Sequence, residues 1–179
     1  MPEVLIRPRT PDDVAVLTEV LWEQQPSSRY PLRNPLPIPV EHFLHVDDAV
    51  AAWVAEVDGR PVGNVCHTRP PSGDAVSEEE NEACARAHGC TVDDLAYVST
   101  LFVGLGTRGL GLGRRLLDTV VEDIRRTGHF PCLEVLAVHP AAQELYVSRG
   151  WREVLRARPS WMNGVPDDVP DVRVMVLPT

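Results

Sequence analysis

Tyr97 to Asp118 reads Y-V-S-T-L-F-V-G-L-G-T-R-G-L-G-L-G-R-R-L-L-D. The residues Tyr97, Val98, Thr100, Phe102 and Val103 are β-branched or aromatic and suit a buried, pleated strand. From Gly104 to Gly113 glycines and Arg108 interrupt the apolar run, and from Arg114 onward Leu116, Leu117, Val120, Val121 and Ile124 recur at helical spacing. The stretch therefore predicts strand, glycine-rich turn, helix. Gly109, Gly111 and Gly113 carry no Cβ to keep a ligand off the backbone, so unpaired N–H groups at the helix start can meet an anion directly. The helix dipole and the side chains of Arg108, Arg114 and Arg115 add positive charge at the same place. A phosphate or pyrophosphate is the expected ligand, and a tight turn that merely lets helix and strand pack closely is the alternative. The dinucleotide fingerprint does not fit, because its third glycine would fall on Arg114. The P-loop does not fit either, since no Lys-Ser/Thr pair follows the glycines and the chain contains no lysine.

Arg108, Gly111 and Gly113, preceded by Leu101-Phe102-Val103 and followed by Arg114-Arg115-Leu116-Leu117, resemble the Arg/Gln-x-x-Gly-x-Gly/Ala turn of the GCN5-related N-acetyltransferases (GNAT). Downstream, Ala142-Gln143-Glu144-Leu145-Tyr146-Val147-Ser148-Arg149-Gly150-Trp151 resembles the A-x-x-L-Y-x-x-x-G-F segment of that family. Two motifs in the family's order and spacing are far more specific than either alone. The resemblance implies an α/β (α+β) fold of GNAT type. That fold has a mixed, mostly antiparallel central sheet of about six or seven strands, with splayed parallel middle strands and flanking helices. One domain over residues 1–179 is expected.

What the resemblance implies for function is transfer of an acetyl group from acetyl-CoA to a primary amine of a small molecule or peptide. It places the pyrophosphate on Arg108, Gly109, Leu110, Gly111, Leu112, Gly113 and Arg114. The pantetheine arm would run along the backbone of Leu101, Phe102 and Val103, where the middle strands ending at Val103 and Val138 splay apart. His139 stands where the family often has an asparagine that meets the same arm, and Leu105 where it often has proline. Tyr146 occupies the position of the family's proton donor to the departing thiolate; a phenol with an ordinary pKa of about 10 is protonated at neutral pH. A core tyrosine packed on the cofactor is the alternative. Some members place a glutamate in the strand before the turn, but Tyr97 to Val103 contains no carboxylate. Asp93, Asp94, Glu134 and His67 acting through water remain open as bases for the ammonium proton. A non-catalytic acyl-CoA-binding sensor and a nucleotide-binding module are competing readings of the whole chain.

Composition narrows the classes. With 179 residues and 44% apolar residues the chain is long enough for one well-buried domain, and general disorder is excluded. A net charge of -9 leaves no basic stripe for nucleic acid. The four cysteines, Cys66, Cys84, Cys90 and Cys132, have no zinc or C-x-x-C spacing and are expected to be reduced, with no metal. No apolar run is long enough to span a bilayer and nothing at Met1-Pro2-Glu3 resembles a signal peptide, so a cytoplasmic protein without a membrane partner is expected. A homodimer is favoured only by analogy with the family.

In chain order, Val4 to Arg7 predicts a strand. Thr10-Pro11-Asp12-Asp13 predicts a helix start with Thr10 as N-cap, and Val14, Leu17, Val20 and Leu21 form the apolar face of that helix. Trp22, Tyr30 and the proline-broken 31–39 segment would line the acceptor pocket by resemblance, or else be core and a stiffened loop. Val40 to His45 reads as a short helix ending near Asp47-Asp48. Ala51 to Val57 and Pro61 to Thr68 read as a hairpin turning at Asp58-Gly59-Arg60, with His67 expected to be a solvated polar residue near its end. Residues 69–94 read as an insertion containing a helix from Ser77 to His88. It would cover the acceptor, mediate dimer contacts, or form an acidic solvated helix with neither role. Strands follow at Cys132 to Val138, Arg152 to Arg156 and Val172 to Leu177, with a helix carrying Tyr146. The 158–171 loop, with Trp161 and Met162, faces the acceptor by resemblance or is a flexible connection with one packed tryptophan.

Overall fold

The structure, a computed structural model, describes residues 2–45 and 49–179, so Asp47-Asp48 lies outside the described residues. In chain order the elements are β1 (Val4–Pro8), α1 (Asp13–Ser28), α2 (Val40–Leu44), β2 (Ala49–Val57), β3 (Arg60–Thr68), α3 (Ala75–His88), β4 (Leu95–Val103), α4 (Leu112–Arg126), β5 (Phe130–Leu136), α5 (Pro140–Ser148), β6 (Arg152–Ala157) and β7 (Val172–Val176). The strands are ordered β1-β2-β3-β4-β5-β7-β6, antiparallel except for one pair. This is the mixed sheet with flanking helices that the resemblance implies. The chain forms two compact units, residues 1–68 with 98–123 and residues 69–97 with 124–179.

In the first unit, β2 and β3 meet in a two-residue turn whose central residues, Asp58 at φ 48° and Gly59 at φ 81°, are both left-handed. That matches the twist of an antiparallel hairpin, and it explains why Arg60 already pairs with Val57 instead of lying in the turn. Leu17, Val20 and Leu21 of α1 are buried with Leu44, Val54 and Phe102, and Tyr30 and Phe43 pack against them. Each such side chain contributes roughly 1.5–3 kcal/mol by leaving water. The helix begins at Asp13 instead of being capped by Thr10. The Thr10 N–H and hydroxyl both donate to the Asp13 carboxylate, at 2.7 and 3.0 Å, and Arg7 grips the same carboxylate in a fork at 2.8 Å. A carboxylate already fixed by a guanidinium is the stronger acceptor, so the turn organises around Asp13.

In the second unit, α3 starts at Ala75, earlier than the Ser77 start expected from sequence. The Asp74 side chain accepts from the N–H groups of Val76 and Ser77 at 3.1 and 3.0 Å, which makes it the cap. Gly89, at φ 71°, ends the helix as expected. Ser77, Glu80, Asn81, Ala83, Cys84 and Ala85 are buried, and the helix packs on β6 and β7. It is therefore not the solvated acidic helix that was one alternative. β5 pairs with β7 from Cys132↔Val176 to Leu136↔Val172. The strand ends at Leu136, not at Val138, because Ala137 and Val138 make the turn that brings His139 to the N-terminus of α5.

Candidate functional site

From Val98 to Asp123 the strand, turn and helix of the opening stretch lie in the first unit, and the turn is more structured than its glycine content suggests. After Val103 the backbone N–H of Gly104 donates to the carbonyl of Val62 at 2.7 Å, tying the strand end to β3. Leu105 to Thr107 then form one short 3-10 turn, closed by the Thr107 hydroxyl on the carbonyl of Gly104. α4 starts at Leu112, two residues before the Arg114 expected from periodicity, and it buries Leu112, Leu116, Leu117, Val120 and Val121.

Gly109 and Gly111 sit at φ 87° and 71°, and nothing lies within 4 Å of where a Cβ would be at either. Their backbones are thus uncovered on the side a ligand would approach. Gly111 uses its carbonyl to accept from the Arg115 N–H, so the helix is already formed behind it. Arg108, Arg114 and Arg115 are exposed, and none forms an ion pair among the described residues. Arg108 makes a single long contact, to the Ser27 hydroxyl at 3.4 Å. No acid occupies the first turn of α4. Three unneutralised guanidinium groups at a helix N-terminus, in a chain of net charge -9, leave a local positive field that an anion would satisfy.

The approach to that turn is held by residues the sequence reading did not single out. Thr100 of β4 has φ 49°, a left-handed conformation unusual for a β-branched residue. Asn64 of β3, fully buried, donates from Nδ2 to the Thr100 carbonyl and hydroxyl at 2.9 and 3.0 Å, and its Oδ1 accepts from Arg9 at 3.0 Å. This clamp holds the backbone of β4 immediately before Leu101, Phe102 and Val103. The signal in the sequence was a lone asparagine inside an apolar strand, which a buried partner must satisfy. Gly63 beside it is there for closeness, since a Cβ would meet the Phe102 carbonyl oxygen at 3.1 Å.

His67 overturns its expectation. It is 2% exposed and lies over Trp53, with ring centroids 6.0 Å apart, and its Nε2 is 3.0 Å from the Asp123 carboxylate. A base acting through solvent has no access here. Of the acceptor-side candidates in this unit, Tyr30 belongs to the packed cluster, 6.5 Å from the Phe102 ring centroid, while Trp22 is half-buried.

The second unit holds Tyr146 and His139. His139 is the residue before the first turn of α5, with Pro140 opening the helix. Tyr146 is buried, with its ring 5.9 Å from that of Trp151 and tilted to it. Burial pushes its phenol above the ordinary value. Its hydroxyl makes no hydrogen bond among the described residues, so it carries a proton with no internal acceptor. Gln143 in the same helix donates to the carbonyls of Leu136 and Ala137, which fixes the end of β5. In the 158–171 loop the packed residue is Met162, not Trp161, which is 46% exposed. Arg158 ties the loop together by donating to the carbonyls of Val165, Pro166 and Val169. Asp93 and Asp94 form a short turn in which Asp94 is occupied by Thr91, leaving it no role as a base.

The sequence profile of the acetyltransferase (GNAT) family matches residues 15–151. A probable N-acetyltransferase camello of Xenopus tropicalis is 29% identical over 115 residues, which is 64% of this chain and 44% of that protein. The chain therefore spans less than half the length of the curated relative it matches. Among solved structures, a putative acetyltransferase from Salmonella typhimurium with its cofactor acetyl-CoA superposes with a TM-score of 0.69 at 19% identity, covering 97% of this chain and 92% of that one. The ribosomal-protein-S18-alanine N-acetyltransferase from Escherichia coli superposes with a TM-score of 0.65 at 17% identity, covering 99% of this chain and 96% of that one.

Proposed function

This chain belongs to the GNAT acetyltransferase family, and on that premise we propose that it transfers an acetyl group from acetyl-CoA to a primary amine of a small molecule or peptide. The observation that carries the reading is the open backbone at Gly109 and Gly111 beside the unpaired Arg108, Arg114 and Arg115. A pyrophosphate fits there, because the cradle is one that side chains would fill and the charge is of the right sign. Residues 108–114 would hold it, and the strand end Leu101-Phe102-Val103 would hold the amide-bearing arm by strand-like hydrogen bonding. His139 stays in this reading as a contact to that arm. When bound, acetyl-CoA supplies an activated thioester. Tyr146 keeps its proton across the neutral range and gives it up to the departing sulfur. Holding acceptor and thioester together does most of the remaining work.

Peptides stay in the proposed acceptor class, a reading supported by the shared fold of a ribosomal-protein-S18-alanine N-acetyltransferase. We read residues 1–179 as a single transferase domain in which 69–94 is an insertion, and a cytoplasmic setting and a homodimer belong to the same reading. The test is thiol release from acetyl-CoA over a panel of alkylamines, amino acids, aminoglycosides and peptides, with coenzyme A binding measured in parallel against ATP. Because the chain has no lysine, added acceptor accounts for acetylated side-chain amine. Turnover establishes the transferase. Tight coenzyme A binding without turnover on any amine points to the sensor, and ATP binding as tightly as coenzyme A points to a nucleotide module.

A further inference from the structure

Two arginines near the N-terminus, two residues apart in the first unit, are partnered very differently. Arg7 is saturated. Its Nε donates to Glu56 and its two terminal nitrogens to Asp13, all at 2.8 Å. Arg9 is half-buried and meets no carboxylate among the described residues. Its Nη1 donates to the Leu44 carbonyl at 2.6 Å and to Asn64 Oδ1 at 3.0 Å, two neutral acceptors. Among the described residues no oxygen accepts from its Nε or Nη2. A guanidinium carries five donors in a fixed plane, and the N–H groups of Nε and Nη2 share one edge of it. Arg9 is therefore held by one corner, and the edge that matches the two oxygens of a carboxylate is left over.

The surroundings do not supply the missing charge. Asp13 is the acid that acts on Arg9 through space, and it is already gripped by Arg7 and by Thr10. Cys66 is the other titratable group beside it, and burial pushes that thiol up, so it stays neutral. Desolvation lowers the Arg9 guanidinium from its ordinary value, but a guanidinium starts so high that it keeps its charge. A charge taken partly out of water without a counter-ion is costly, and a ligand that brings one anion removes that cost.

Asn64 ties this charge to the proposed cofactor contact. Its Oδ1 accepts from Arg9, and its Nδ2 donates to the carbonyl and hydroxyl of Thr100, the residue before Leu101. One asparagine side chain thus links the guanidinium to the strand on which the pantetheine arm is proposed to lie. We infer that Arg9, oriented by Leu44 and Asn64, binds a carboxylate of the acceptor, so that the acceptor is an amine that also carries a carboxylate and not a plain alkylamine. This rests on the reading of the chain as an acetyl-CoA-dependent amine acetyltransferase. A carboxylate fits better than a phosphate, because one guanidinium neutralises one charge and the second charge of a phosphate dianion would be left facing the field of Asp13. Side-on contact fixes the plane of the carboxylate, and with it where the acceptor's amine can lie.

The test follows the Arg9 Nε–H resonance in the 15N-labelled full chain, identified by its loss in Arg9→Gln, during titration with N-acetylglycine and, separately, with N-acetylglycinamide. The two differ only in carboxylate against carboxamide, and neither has an amine to acetylate. A saturable shift with N-acetylglycine and none with the amide is expected. In Arg9→Gln, read through the Asn64 side-chain amide, N-acetylglycine binding should weaken about tenfold or more, since glutamine keeps a donor for Leu44 and Asn64 but loses the charge and the fork. In turnover the same variant should raise the KM of acceptors that carry a carboxylate, while the KM of their carboxamides and of acetyl-CoA changes little. No shift with N-acetylglycine, an equal shift with N-acetylglycinamide or with inorganic phosphate, or undiminished binding in Arg9→Gln overturns the inference. So does wild-type turnover of plain alkylamines as good as that of amines bearing a carboxylate. The wild-type titrations decide the matter even where Arg9→Gln does not fold. Saturable N-acetylglycine binding in a chain that binds no coenzyme A supports the carboxylate site and overturns the cofactor reading instead.

Discussion

Asn64 donates one amide to two acceptors of Thr100, the carbonyl at 2.9 Å and the hydroxyl at 3.0 Å, and Thr100 holds φ 49° in the middle of an otherwise extended strand. A β-branched residue does not adopt that conformation without support, costing about 1–2 kcal/mol. The support comes from β3, with Arg9 fixing the far side of the amide at 3.0 Å. The three residues that follow, Leu101 to Val103, are those proposed to receive the pantetheine arm. Backbone strain in β4 is thus coupled to the place where the cosubstrate would pair.

Asn64→Ala leaves the Thr100 carbonyl and the Arg9 guanidinium short of a partner in a buried setting. The expected loss is about 2 kcal/mol of stability, with a raised acetyl-CoA KM as Thr100 leaves its left-handed conformation. Urea unfolding and steady-state kinetics read the two effects separately. A destabilised variant with an unchanged KM would show that the conformation of Thr100 does not shape the proposed cofactor contact.

Gly111→Asp is expected to weaken coenzyme A binding by about a hundredfold, roughly 2.7 kcal/mol, by placing a side chain and a negative charge in the proposed phosphate cradle. Aspartate tolerates the left-handed conformation better than most residues, and the space around Gly111 is open, so the melting temperature should fall only slightly. Calorimetric titration with coenzyme A checks it, and retained affinity would remove the turn from the site.

Tyr146→Phe is expected to lower kcat about a hundredfold, with little change in stability because the hydroxyl has no hydrogen bond among the described residues to lose. Since burial raises this phenol, the wild-type rate should show no loss from tyrosine ionisation up to about pH 9. A rate that falls through neutral pH in wild type and not in the variant would contradict the assignment.

The fork between Arg7 and Asp13 makes a prediction about acid. Arg7 holds the Asp13 carboxyl down to about 2. A carboxyl lowered on folding stabilises the native state fully above its unfolded value, about pH 4, and loses that contribution as pH falls toward 2. The stability at stake is about 2 kcal/mol. Asp13→Asn should flatten the dependence of unfolding free energy on pH between about 4 and 2 while lowering it at pH 7. Denaturant titrations across that range decide the matter.

Much of this molecule is written in short-range pattern. The hairpin turn at Asp58-Gly59, the helix stop at Gly89, the apolar stripe of α1 and the strand-turn-helix from β4 to α4 follow from local conformational preference and hydrophobic spacing, which act over a few residues. The arginines and glycines of the turn were singled out from the same short-range pattern, and Tyr146 from the family resemblance of its segment. Boundaries shifted where a side chain found a better partner than its neighbours suggested, as the Asp13 carboxylate did with the Thr10 N–H and the Asp74 carboxylate with the Val76 N–H.

What the sequence could not contain is the meeting of residues far apart in the chain. His67 lost its solvent because Trp53 and Asp123 cover it, and Asn64 became a clamp because Thr100 came within reach. Glu80 and Glu134 are unremarkable acids in sequence, one on a helix and one in a strand. Only when tertiary packing takes Glu80 out of water, with Glu134 beside it, does its carboxyl rise to about 8. Local preference and hydrophobic period decided the secondary elements and the glycine turn; burial and long-range proximity, which set desolvation and pair electrostatics, decided which of the remaining polar residues are covered and partnered.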